Sequence, residues 1–345
     1  MKKKVSLKDI AEIVGVSTAT ISYVLSKGEE NRVSPKMAAK IKKVAKELNY
    51  QPNQIAKSLK SGRTFTIGLI VADISNPFFA NIARIIEDEA KKRDYTVIFG
   101  SSDESEDKSR DLIRFLSNRQ VDGFIIAPTE KSIDQIEQLK AQNIPFVLID
   151  RYFPELETSY VVINNYQAAY DAVSRLIDTG HSSIGVISYS QGLFHMRERV
   201  RGYKRAVLDH GLNFKKTWMK EVSYANAKKE VEAAIDQLVS KRKEVSALFF
   251  ATNTLAVHGL KHIDRLKLKV PDDVGVVCFD QGEAFDFYYC PLTYVKQPLV
   301  ELGTAAVNIL IDQISRKNKG YSRTSLEAEL IVRDSCTRLE KHMDV

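Results

Sequence analysis

One face of a short helix near the N-terminus carries hydroxyls and small side chains that build little core. In LKDIAEIVGVSTATISYVLSKG, Ser17, Thr18, Ala19, Ser22 and Tyr23 occupy that face. Ile21, Val24 and Leu25, at i, i+3 and i+4, turn the other way. Short side chains let a helix enter a major groove, and hydroxyls can meet phosphates or base edges. A plain solvent face is the alternative. A second set stands at the ends of apolar runs: Asp73, Phe78 and Phe79 after TIGLIVA, Asp150 and Arg151 after PFVLI, Asn164 after VVI, Asn253 after LFFAT, and Asp280 after VVCF. Flat aromatic faces suit the C–H surfaces of a sugar, and bidentate polar groups suit its neighbouring hydroxyls. Each residue also has a plainer role. Ser75 and Pro77 can start a helix with Phe78 and Phe79 in the core, and the aspartates can cap turns. His258 and His262 have an i, i+4 spacing that can hold zinc, but no third ligand stands near them in sequence. No Ser–His–Asp or Cys–His arrangement, P-loop or GxGxxG accompanies the first strand, so no catalytic residue, metal or cofactor is expected.

These residues need elements to place them. Ser6 can cap a helix from about Leu7 to Val14, which Gly15 ends in a left-handed turn. Only Val16 then precedes Ser17, which can cap the next helix. Two helices joined so closely must cross steeply, as in a helix-turn-helix. A third helix runs from about Ser34 to Leu48, with Ala38, Ile41, Val44, Ala45 and Leu48 inward. Pro52 stops it, Asn53 can cap a short helix carrying Ile55, Ala56 and Leu59, and Gly62 ends that one. A helix so short needs a partner surface; a flexible linker is the alternative.

From Thr66 onward, runs such as TIGLIVA, YTVIFG, DGFIIAP, PFVLID, SIGVIS, SALFFA and VGVVCFD alternate with amphipathic helical segments. Strands apolar on both faces, separated by helices, imply parallel sheets covered by helices. There are too many such units for one doubly wound domain, so two lobes are expected, with ligands at the strand carboxyl ends.

Charge separates the two parts. Residues 1–62 hold 13 Lys/Arg against 5 Asp/Glu, while residues 63–345 hold 38 against 39. A basic module on a neutral body points to a polyanion partner for that module. No apolar run approaches the ~20 residues of a membrane span. MKKKVSLKDIAEIV lacks a signal peptide's apolar stretch. Three cysteines without CxxC spacing argue against a disulfide frame. A reduced, cytoplasmic protein is the expectation.

With these segments in view, the chain resembles the LacI/GalR family of bacterial transcription regulators over nearly its whole length. The resemblance is carried by LKDIAEIVGVSTATISYVL, VSPKMAAKIKKVAKELNYQPNQIAKSLKSG, IGLIVADISNPFF, VINNYQAA, GHSSIGVIS, VPDDVGVVCFD, PLTYVKQP and LIVRDSC in order. It implies a helix-turn-helix headpiece over 1–52, a hinge helix over 53–62, and a periplasmic-binding-protein-like α/β body over 63–345. One lobe would take about 63–163 plus 297–328, the other about 164–296 plus 329–345. It implies base reading by Thr18, Ala19 and Tyr23 and phosphate contacts by Ser17 and Ser22. Ser34, Asn53, Ala56 and Lys60 join the DNA-binding set, and Leu59 matches a leucine that wedges into the minor groove. Arg199, in RERVRGY, matches an effector-binding arginine, and with Asp280 is the pair expected to matter most.

The implied protein is no enzyme. It is a homodimer on a pseudo-palindromic operator, most simply a repressor, switched by a small molecule between the lobes. A sugar is preferred and a purine is the alternative. A solute-binding protein would lack the basic module, and an oxidoreductase would need a glycine-rich turn. Several positions depart from the family: Tyr23 and Gln54 stand where arginine is frequent, Met37 where threonine is, and the loop SKGEENRVS is long. These bear on which operator is read.

Overall fold

A computed structural model describes residues 5–25, 33–51, 62–189, 192–240, 244–315 and 320–337. The chain divides into two compact units, residues 1–64 and 65–345.

In the first unit, α1 (Leu7–Val14) opens with a reciprocal cap: Asp9 N–H donates to Ser6 Oγ at 3.3 Å, and Ser6 N–H donates to Asp9 Oδ2 at 2.7 Å. Gly15, at φ +80°, ends it by donating to Ala11 O at 2.9 Å. A left-handed turn of this kind favours glycine because a Cβ would crowd the backbone. Helix α2 (Thr18–Leu25) follows at once, then α3 (Pro35–Glu47), capped by Ser34. Ile10, Ala11, Val14, Ile21, Val24, Ala38, Ile41 and Ala45 form the buried core where the three helices meet. Lys40 Nζ donates to Val14 O at 3.2 Å, giving a terminal carbonyl of α1 a partner. The expected hinge residues Asn53, Ala56, Leu59 and Lys60 lie outside the described residues.

The second unit holds two six-stranded sheets. The first contains β1 (Thr66–Val71), β2 (Thr96–Ser101), β3 (Gly123–Ile126), β4 (Phe146–Ile149), β5 (Tyr160–Ile163) and β11 (Arg323–Leu326), ordered β11-β5-β4-β3-β1-β2 and parallel throughout. The second contains β6 (Ile184–Tyr189), β7 (Met219–Val222), β8 (Ala247–Phe250), β9 (Gly275–Phe279), β10 (Thr293–Lys296) and β12 (Glu329–Ile331), ordered β12-β10-β9-β8-β6-β7. Only β12 runs antiparallel to its neighbour among these pairs. Each order reverses once, at β1 and at β6. An open α/β sheet places its ligand crevice beyond the carboxyl ends of the strands at such a point.

Helices α4 (Pro77–Lys91), α5 (Glu106–Asn118), α6 (Ile133–Ala141) and α12 (Leu299–Ile314) belong with the first sheet. Helices α7 (Asn165–Asp178), α8 (Phe194–Asp209), α9 (Ala227–Ile235), α10 (Asn253–Arg265) and the one-turn α11 (Ala284–Phe287) belong with the second. Helices α7 and α8 approach closely: a Cβ on Gly202 would stand 2.3 Å from Tyr166 O. One strand departs from expectation. β2, read from YTVIFG as apolar on both faces, is an edge strand with Ile98 and Phe99 exposed. No helix among the described residues is long and apolar enough to cross a membrane.

Candidate effector cleft and DNA-reading face

In the headpiece, α2 sets Thr18 and Ser22 one turn apart, and Ala19 and Tyr23 likewise. Ser17, Thr18 and Ala19 are exposed, while Ser22 and Tyr23 are half-buried. Ser17 Oγ accepts from Thr20 N–H at 3.1 Å and stands 2.9 Å from Thr20 Oγ1. Ser34 accepts from Met37 N–H at 3.4 Å. Both serines therefore cap helices, each giving one first-turn N–H a partner.

The polar centre of the body is assembled from strand carboxyl ends in both lobes. Asp150 follows β4 and Asp280 follows β9, and both have left-handed backbones, at φ +64° and +71°. Such a conformation in a non-glycine residue costs about 1–3 kcal/mol and recurs at functional sites. Asp280 Oδ1 accepts from Gln297 Nε2 at 2.5 Å. Its Oδ2 lies 3.8 Å from Arg199 Nη1. Arg199 projects from α8, donating from Nε to Asn165 Oδ1 and from Nη1 to Ala251 O, both at 2.8 Å. Its guanidinium lies 3.6 Å over the Phe279 ring.

On the first lobe, Arg151 is held by Glu104 through two bonds, Nη1 to Oε2 at 2.8 Å and Nη2 to Oε1 at 2.7 Å. Arg151 Nε also donates to Asp150 Oδ2 at 3.2 Å. Burial opposes charge on Arg151, but Glu104 and Asp150 outweigh it and hold its pKa above the ordinary value. Burial raises the Asp150 pKa although Arg151 and Arg199 favour its anion; Asp280 and Glu104 add to the rise. Burial lowers the Arg199 pKa against the pull of Asp280 and Asp150. Glu104, Asp150, Arg151, Arg199 and Asp280, five charged groups from the two lobes, thus form one electrostatic cluster.

The remaining expected residues are distributed around it. Asp73 receives a hydrogen bond on Oδ1 from Ser75 N–H at 2.9 Å. Its Oδ2 accepts from the Tyr224 hydroxyl of the other lobe. Phe78 and Phe79 meet edge to face at 5.0 Å and are 7 % and 2 % exposed, so they form core beneath the cleft. Arg151 lies 5.7 Å over Phe79. Asn164 caps α7, accepting from Gln167 N–H at 3.2 Å, and donates to Glu327 at 3.3 Å. Its neighbour Asn165 is the one that touches Arg199. Asn253 donates to Gln281 O at 3.0 Å. His262 Nε2 is 2.9 Å from Asp236 Oδ1, and no three metal-ligating side chains gather among the described residues.

Sequence reasoning passed over Glu104, Asn165, His195, Tyr224 and Gln297. Glu104 follows β2 and Tyr224 follows β7, so the strand-end rule that found Asp150 covers both. The charged run MKEV, however, does not read as a strand. His195 is buried, and burial followed by Arg151 and Arg199 pushes its pKa well below the ordinary value. His195 Nδ1 and Gln297 Oε1 have no hydrogen-bond partner among the described residues. Buried polar atoms of that kind call for a partner.

The chain is similar to known proteins over most of its length. Residues 6–53 match the family described as bacterial regulatory proteins, lacI family. Residues 64–334 match periplasmic binding proteins and sugar binding domain of LacI family. The HTH-type transcriptional repressor PurR of Vibrio campbellii is 30 % identical over 97 % of this chain and 99 % of its own length. A transcriptional regulator CelR–cellobiose complex superposes with a TM-score of 0.72 at 27 % identity, covering 96 % of this chain and 100 % of that one. A regulator from Enterococcus faecium with bound ribose gives 0.71 at 26 % identity, covering 80 % and 100 %. A helix-turn-helix headpiece followed by a two-lobed body, matched from end to end, makes the chain a member of the LacI family of bacterial DNA-binding transcription regulators.

Proposed function

We propose that this regulator is a cytoplasmic repressor that binds a pseudo-palindromic operator as a homodimer and responds to a sugar held between its lobes. One observation carries the effector reading: two left-handed aspartates, one per lobe, share a buried cluster with Arg151 and Arg199. Carboxylate, guanidinium and amide groups suit the alternating donors and acceptors of a polyol. Because Phe78 and Phe79 are packed into the core, neither a sugar nor a flat base stacks on them, and the polar groups carry the preference for a sugar. A purine is the second reading, favoured by the PurR repressors among the relatives.

The lobes are linked through side chains, so effector contacts with both bias the angle between them. Only a ligand with different affinity for the two lobe arrangements can shift DNA binding. Calorimetric titration of monosaccharides, disaccharides and free purine bases into wild type and Arg199→Ala tests the reading. Saccharide binding that the variant loses supports it. Binding of a purine alone, or equal binding by both proteins, overturns it.

A further inference from the structure

Three stretches of chain cross between the lobes: from β5 to α7, from β10 to α12 and from β11 to β12. In the strand orders, β11 and β5 open the first sheet and β12 and β10 open the second, so all three crossings lie at one end of the body. Asp73 and Tyr224 stand toward the other end. Asp73 follows β1, next to the edge strand β2, and Tyr224 follows β7, the far edge of the second sheet. The hydrogen bond from the Tyr224 hydroxyl to Asp73 Oδ2 therefore joins the lobes away from the crossings.

Both partners are held ready for it. Asp73 Oδ1 accepts from Ser75 N–H at 2.9 Å and from Ser75 Oγ at 2.7 Å, which leaves Oδ2 for the other lobe. Ser223, just before Tyr224, donates to Glu230 of α9 through its N–H at 2.6 Å and its Oγ at 2.8 Å. The Tyr224 ring meets Tyr189 at 5.6 Å, inclined by 43°. Asp73 and Tyr224 are both half-buried, so water competes for the bond less than on an open surface. The position adds leverage. At ~4.8 Å per strand, β1 is about 14 Å from β5, and β7 is about 19 Å from β10. At that radius, parting the bond by about 1 Å takes a rotation of only ~3–4° about the crossings.

We infer that Tyr224 and Asp73 form a clasp that shuts the mouth of the cleft, with the crossings as its hinge. Both halves of the clasp are the protein's own side chains, so closure needs no effector to bridge the lobes. The effector-free regulator keeps its lobes together, and a small molecule reaches the polar centre only when the clasp parts. Asp73, whose place at a strand end suggests ligand contact, thus acts between the lobes. The inference goes beyond the repressor reading and holds whichever small molecule binds.

The test measures the distance between two nitroxide labels on the full chain, with no sugar and no DNA. Gln138→Cys on α6 and Ala233→Cys on α9 are exposed sites, one per lobe, and the three native cysteines are buried and stay unlabelled. Unlabelled chain is added in excess, so that only pairs within one chain are read. The otherwise wild-type chain gives one distance. Tyr224→Phe keeps the ring and removes the donor. A longer distance then appears beside the first, and the open-to-closed ratio rises about tenfold or more, as the loss of a hydrogen bond to a charged group requires. Asp73→Ala does the same, and the two substitutions together do no more than either alone. A distance distribution in Tyr224→Phe that matches wild type, or effects of the two substitutions that multiply, overturns the clasp. Either result leaves the repressor reading standing.

Discussion

Replacing Glu104 removes the group that holds Arg151, and the structure sets the size of the effect. The two side chains are 9 % and 8 % exposed and meet through paired N–H···O bonds of 2.7 and 2.8 Å. Breaking a buried pair by deleting one partner costs about 3–5 kcal/mol, mostly from stranding the other charge. In Glu104→Ala, Arg151 keeps Asp150 Oδ2 at 3.2 Å and Pro128 O at 3.4 Å, which places the loss near the lower end, about 3 kcal/mol. At roughly 2–4 °C per kcal/mol, the melting midpoint falls by about 6–12 °C. Trp218 is buried in the second lobe and is the chain's one tryptophan, so its fluorescence follows denaturation without an added probe. Arg114→Gln, in an exposed pair with Asp111, is the control and leaves the midpoint in place. Added salt diminishes the Glu104 effect little, because buried charges are weakly screened. A Glu104→Ala shift no larger than the control's would show Arg151 to be solvated and would refute the reasoning.

Other substitutions test neighbouring parts. Gly202→Ala drives a Cβ to 2.3 Å from Tyr166 O, a backbone atom with little room to yield. It costs about 1–3 kcal/mol by urea denaturation, and a neutral result would show that α7 and α8 separate freely. Arg199→Lys keeps the charge but loses the fork that reaches Asn165 and Ala251 O, so effector affinity falls tenfold or more in calorimetry. Retained affinity would reduce Arg199 to a point charge. Asp150 has its folded pKa raised, so its protonated form carries stability that is fully present below the unfolded value of ~3.9 and is lost as pH rises through the folded value. The stability of Asp150→Asn relative to wild type therefore increases from pH 4 to pH 8, and a constant difference would contradict the assignment.

Much of this fold is legible because burial on both faces demands continuous apolar strands. TIGLIV, FVLI and ALFF announce themselves, and so do the capping serines of α1 and α3. Edge strands are harder. MKEV and ELI carry charges because one side meets solvent, and IF in β2 is apolar yet exposed. Asp150 and Asp280 are legible as strand-end residues, but their left-handed backbones are not, since chain direction after a strand is set by tertiary packing. Glu104 sits in SSDES with nothing local to single it out; its role arises only when β2 and β4 bring it to Arg151. Arg199 is one of three arginines in RERVRGY, and resemblance rather than spacing picked it. Phe78 and Phe79 follow their core alternative in packing.

The account depends most on whether occupancy of the cleft alters the grip of the headpiece on DNA. Fluorescence anisotropy with the protein's own promoter fragment and a scrambled duplex, at two salt concentrations, with and without the saccharide that binds, measures this directly. The prediction is tighter binding to the promoter, weakened by salt, and a 5–150-fold change on adding the sugar, corresponding to about 1–3 kcal/mol of coupling. Arg199→Ala keeps the DNA affinity and loses that change. Promoter affinity identical with and without a sugar that calorimetry shows to be bound would contradict the account.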